Sequence, residues 1–105
     1  MINGVKKFAH ISSIAALGRE KSGVQVTEKS KWVDSKLNSN YAVNKYKAEM
    51  EVWRGSEEGL NVVIVNPGVI LGSGDWHKGS CALFNMVYKG MPFYTRGVNG
   101  YVDVL

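Results

Sequence analysis

The run Leu60-Asn-Val-Val-Ile-Val65 constrains the fold most. Four consecutive β-branched residues favour a pleated, extended backbone. Their apolar continuity exceeds the period of two expected for a half-buried strand, which predicts a strand covered on both faces, as parallel strands are. The segment before it has a different pattern. Val43, Tyr46, Met50 and Trp53 recur at helical spacing, with Lys47, Glu51 and Arg54 between them. This predicts a helix beginning near Tyr41, capped by Asn38, Ser39 or Asn40 and closed by Gly55 or Gly59, with the four apolar residues as its inner stripe.

Upstream, Val5 to Ile11 reads as another strand, which runs into Ser12 and Ser13. Gly18 to Asn40 is polar and broken by Gly and Ser, the pattern of a long surface loop. The resulting order of strand, loop, helix and strand is that of an α/β layered fold. After Val65 the chain passes into Asn66-Pro-Gly-Val-Ile-Leu-Gly-Ser-Gly74, read as a Gly-rich exit at the carboxyl end of the strand, where open α/β sheets bind ligands. Ser80 to Tyr88 predicts a short helix with Leu83, Phe84, Val87 and Tyr88 inward and Gly90 closing it. Pro92 to Thr95 and Tyr101 to Leu105 read as short extended pieces.

The chain has 105 residues, which sets an upper bound of one small domain. Its net charge of +4 is spread over scattered lysines and forms no basic stripe, which argues against a nucleic-acid partner. No apolar stretch approaches the ~18 residues of a membrane span, and the N-terminus lacks the pattern of a signal peptide. The single Cys81 excludes an internal disulfide and reads as a small buried hydrophobe, and the expected setting is cytoplasmic. His10, within a strand, reads as structural, and no His, Cys, Asp or Glu spacing suggests a metal site.

Tyr41 and Lys45 stand one helical turn apart and share a face. A nearby ammonium favours the phenolate, so the pair can serve as an acid/base device. The spacing alone is weak, because a Lys-rich chain with five tyrosines supplies it by chance, and an exposed Tyr beside a solvated Lys remains open.

Taken together, the motifs resemble the extended short-chain dehydrogenase/reductases, the NAD-dependent epimerase/dehydratase family. Phe8-Ala-His-Ile-Ser-Ser-Ile-Ala-Ala-Leu-Gly18 is similar to the family's strand ending in a serine, and Tyr41-Ala-Val-Asn-Lys45 matches its Tyr-x-x-x-Lys. Val63-Ile-Val-Asn-Pro-Gly-Val-Ile-Leu-Gly72 resembles the strand and loop beside the nicotinamide, and Gly100-Tyr-Val-Asp-Val104 resembles a late family segment. The four occur in the family's order, with Ser13 28 positions before Tyr41.

The resemblance implies a single partial Rossmann-like, doubly wound domain over residues 1–105, carrying the last parallel strands and helices. It implies Tyr41 as general acid/base, Lys45 as the group that lowers its pKa and bonds the nicotinamide ribose, and Ser13 as a hydrogen-bond partner of the substrate oxygen, with Ser12 structural. Pro67, Gly68 and Val69 would present backbone to the nicotinamide ring of NAD or NADP. Trp76, His77 and Thr95 or Arg96 would reach a small-molecule substrate such as a nucleotide sugar, a flavonol-like or a steroid-like compound. For His77 a plain surface histidine is an equal reading.

Two departures from the pattern stand out. Asn44 replaces the small residue the family often has before its lysine, and no Gly-rich dinucleotide loop occurs in these residues. The expectation is therefore an excerpt of a longer oxidoreductase or epimerase, inactive as an isolated chain. The alternative expectation is a non-catalytic module that self-associates, as a homo-oligomer, through an open strand edge or helix face.

Overall fold

The computed structural model describes residues 3–20, 23–93 and 99–105. They divide into two compact units, Met1–Pro67 and Gly68–Leu105, each taken here by itself. Both contain short parallel strands and a helix, so the chain is a small α/β protein compatible with a partial Rossmann-like fold.

In the first unit, β1 (Phe8–Ile11) pairs in parallel with β2 (Val62–Val65), with Phe8 opposite Val62 and Ile11 opposite Val65. The ladder continues at both ends, where Phe8 N–H donates to the Asn61 carbonyl at 2.9 Å and Ser12 N–H to the Val65 carbonyl at 2.8 Å. A 3₁₀ turn, Ile14–Leu17, follows β1 directly. Residues 18–20 and 23–39 contain turns but no regular element, as their polar composition predicts.

Helix α1 (Asn40–Glu57) returns the chain to β2. Ser39 caps it, its hydroxyl accepting from Ala42 N–H at 3.1 Å. Its end is set by Gly59, at φ +98, where the backbone reverses in a conformation glycine adopts without penalty. Gly59 N–H donates to the Ser56 carbonyl and Leu60 N–H to the Gly55 carbonyl, both at 3.0 Å, which satisfies two carbonyls of the last turn. Lys47, Glu51 and Arg54 are exposed as expected, and Arg54 pairs with Glu51 at 2.6 Å.

The inner face of α1 differs from the apolar stripe read from the sequence. Its buried residues are Ala42 and Glu49, while Met50 and Trp53 are exposed. Tyr46 is half-buried because Trp32, from the long loop, stacks on its ring at 4.3 Å and 5°. The helix is rotated towards Glu49 because a hydrogen-bonded carboxylate, described below, occupies the contact. The double coverage predicted for β2 is also absent among the described residues. Ala9, Ile11, Val63 and Val65 share one face of the sheet, and that face is exposed.

In the second unit, β3 (Val69–Leu71) pairs in parallel with β4 (Tyr101–Asp103). The stretch read as a loop at the exit of β2 thus contains a strand, whose partner is the late extended piece. A 3₁₀ turn, Gly79–Cys81, leads into α2 (Ala82–Tyr88), and Gly90 follows with positive φ. The Ser80 hydroxyl donates to the Ile70 carbonyl at 2.5 Å and the Cys81 thiol to the Gly72 carbonyl at 3.4 Å, which ties the turn to β3. Cys81 is half-buried. Leu83, Phe84, Val87 and Tyr88 were expected inward, but all four are exposed in this unit, since a seven-residue helix beside a two-stranded sheet has little to bury them against.

Candidate functional site

Tyr41 occupies the first turn of α1 and Lys45 the second. The Lys45 Nζ lies 5.8 Å from the centroid of the Tyr41 ring, within the range of a cation–π contact. Tyr41 is 58% exposed and Lys45 half-buried, so the phenol is open to a ligand. No ion pair among the described residues engages Lys45, which leaves its ammonium donors available.

Ser13 lies at the carboxyl end of β1 and caps the following 3₁₀ turn, its hydroxyl accepting from Ala15 N–H at 3.1 Å. Accepting that bond leaves the hydroxyl hydrogen free to donate elsewhere. The turn it caps packs against α1, the helix that carries Tyr41 and Lys45. The structure thus places the three residues in one unit, on elements in direct contact.

Beneath them is a polar network that sequence reasoning did not find. Glu49, 8% exposed, accepts from the Ser12 hydroxyl at 2.6 Å and the Asn66 amide at 2.9 Å on Oε2, and from Trp53 Nε1 at 3.2 Å on Oε1. Asn66 also donates to the Ser13 carbonyl at 3.0 Å. A buried carboxylate is tolerated only with such bonds, and here three donors supply them. Ser12 itself is buried. The available signal was spacing, since Glu49 follows Ala42 by seven residues and Lys45 by four, on one face.

The Pro67 carbonyl accepts from Ile14 N–H at 3.1 Å, which joins the ends of β1 and β2. Gly68 and Val69 open the second unit, where Val69 N–H donates to the Gly100 carbonyl at 3.0 Å. Trp76 and His77 lie in the loop after β3, both exposed. Trp76 lies near Phe84, at 6.4 Å between centroids, and meets Tyr88 edge-on at 6.3 Å, while His77 N–H donates to the Asp75 carboxylate at 2.9 Å. Thr95 and Arg96 lie outside the described residues. His10 is half-buried in β1, and its Nε2 is sheltered without a hydrogen-bond partner among the described residues. Among those residues no group of three or more His, Cys, Asp or Glu could hold a metal ion, and no helix is long and apolar enough to cross a membrane.

Comparison with known proteins bears directly on this arrangement. The profile of the NAD-binding family described as male sterility protein matches residues 2–99. A protein of Synechocystis sp. named dihydroflavonol 4-reductase is 33% identical over 103 residues, which cover 96% of this chain and 30% of that protein. The chain therefore spans less than a third of that relative's length. No solved structure matches it. With nearly the whole chain matched, and with a serine at a strand end, Tyr-x-x-x-Lys on a helix and parallel β-strands in place, the chain belongs to the NAD-dependent epimerase/reductase family.

Proposed function

We propose that this chain carries the proton-transfer centre of an NAD(P)-dependent oxidoreductase acting on a hydroxyl or carbonyl of a small molecule. The observation that carries the reading is the pairing of an exposed Tyr41 with Lys45 on a helix that packs against the turn capped by Ser13. Those three side chains offer a phenol, an ammonium and a hydroxyl, a donor set suited to ribose hydroxyls and a substrate oxygen. A bound nicotinamide supplies the hydride that adds to the carbonyl carbon.

The chain's own part is to manage the oxygen. Ser13 donates a hydrogen bond to it and Tyr41 delivers the proton as the carbon–oxygen bond becomes single. Lys45, whose ammonium stands over the Tyr41 ring, holds the ribose. In the reverse direction Tyr41 accepts the proton. The family resemblance would assign the backbone of Pro67, Gly68 and Val69 to the nicotinamide, and Trp76, His77 and Arg96 to the substrate. The substrate is of the nucleotide-sugar, flavonol-like or steroid-like class. The test is transfer of deuterium from reduced nicotinamide labelled at C4 to a carbonyl substrate, read by mass spectrometry. Label in the alcohol product supports the reading, and substrate conversion without label refutes it.

A second reading, a self-associating module without catalysis, draws on the exposed face of Ala9, Ile11, Val63 and Val65. Such a face favours pairing with a second copy. It is separated from the first reading by light scattering together with the labelling experiment.

A further inference from the structure

Glu49 stands one helical turn beyond Lys45 and two beyond Tyr41 on α1. Its Oε2 reaches Ser12, which adjoins Ser13 at the end of β1, and Asn66, which follows β2 and itself holds the Ser13 carbonyl. Two separate links therefore run from Glu49 to Ser13, one through the Ser12–Ser13 peptide and one through the Asn66 amide.

Apolar contact is non-directional and lets a helix rotate or slide on its sheet at little cost, whereas hydrogen bonds fix distance and angle. A shift of α1 by one residue is a rotation of about 100°. That would carry Tyr41 and Lys45 away from Ser13. Buried polar groups can specify register in this way. We propose that Glu49 is a positioning residue, a carboxylate clamp that sets the Ser13 hydroxyl against Tyr41 and Lys45 by bonding α1 to the carboxyl ends of β1 and β2. The proposal rests on reading Ser13, Tyr41 and Lys45 as the reaction centre.

The test compares Glu49→Ala, Glu49→Gln, Ser12→Ala and Tyr41→Phe in the cofactor-bound protein, with a carbonyl substrate that the unmodified protein turns over. Glu49→Ala removes every acceptor. Glu49→Gln keeps the volume and one carbonyl oxygen able to accept from Ser12 and Asn66. The expected result is a kcat lower by on the order of tenfold or more in Glu49→Ala, with KM changed less than about twofold, and recovery of most of that loss in Glu49→Gln. The side-chain amide of Asn66 and the backbone amide of Ser13 should shift in the NMR spectra of Glu49→Ala and return towards their original positions in Glu49→Gln.

A purely structural Glu49 would lower the melting temperature while leaving kcat per folded molecule unchanged, and that result overturns the proposal. Should Glu49→Ala fail to fold, Ser12→Ala decides. That variant breaks one bond of the clamp and leaves the carboxylate in place, so unchanged kcat together with unchanged Asn66 and Ser13 signals refutes it, and a fall in kcat with shifted signals supports it. Full turnover in Tyr41→Phe refutes the reaction centre itself, and the positioning role falls with it. Lost turnover in Tyr41→Phe with full turnover in Glu49→Ala refutes the clamp alone.

Discussion

Ser39→Ala tests how the first turn of α1 holds Tyr41 in place. The Ser39 hydroxyl accepts from Ala42 N–H at 3.1 Å, and the Ser39 carbonyl accepts from Val43 N–H at 3.0 Å. Alanine keeps the carbonyl and deletes the hydroxyl. Loss of such a cap costs about 1 kcal/mol. The cost should remain local, because Glu49, further along the helix, stays bonded to Ser12 and Asn66. About 1 kcal/mol corresponds to about fivefold in the opening equilibrium of that turn.

Hydrogen exchange followed by NMR reads this residue by residue. Ala42 loses its own acceptor and is not diagnostic, so the amides to follow are Val43 and Asn44. They should exchange about fivefold faster, while those beyond Glu49 keep their rates. Ser39→Asp should restore protection, since its carboxylate accepts the same bond and its charge suits a helix N-terminus. Unchanged exchange at Val43 in Ser39→Ala, or a uniform increase along α1, would refute this account of the cap.

Three further outcomes follow from the geometry. A Cβ on Gly68 would lie 2.5 Å from the Gly100 carbonyl oxygen, the acceptor of Val69 N–H, so Gly68→Ala should destabilise the β3–β4 pairing by about 1–3 kcal/mol; retained exchange protection at Val69 and Val104 would contradict this. Gly59→Ala meets no atom within 4 Å but forces a side chain to φ +98, so a cost of about 1 kcal/mol is expected in denaturant unfolding, and no loss would show that the helix end relaxes. Light scattering of the 105-residue chain should show mass rising with concentration, and Val63→Lys should reduce that rise. A monomer at all concentrations would contradict the role given to the exposed face.

Much of the first unit was legible because its signals are local. The β-branched run predicted β2, and the capping residues and Gly59 bracketed α1. What was missed depends on tertiary contact. Glu49 looks like one more polar residue on a solvated helix until Ser12 and Asn66 are brought to it from the ends of β1 and β2. The apolar stripe was misplaced for the same reason, because Met50 and Trp53 have the right spacing but the contact is made by Ala42 and Glu49. Strand β3 escaped notice because three residues between glycines carry little pattern, and its partner β4 is distant in sequence. The order of Ser13, Tyr41 and Lys45 was readable from motif spacing, whereas the clamp beneath them was not.

The central claim is that Tyr41 moves the proton, and turnover of Tyr41→Phe in the cofactor-bound protein tests it most directly. Phenylalanine keeps the ring and its contact with the Lys45 ammonium but removes the phenolic hydrogen. The account predicts unchanged folding and cofactor binding with kcat lower by about 10²- to 10⁴-fold, the range that general acid/base catalysis contributes. A kcat within about threefold of the unmodified protein would contradict it.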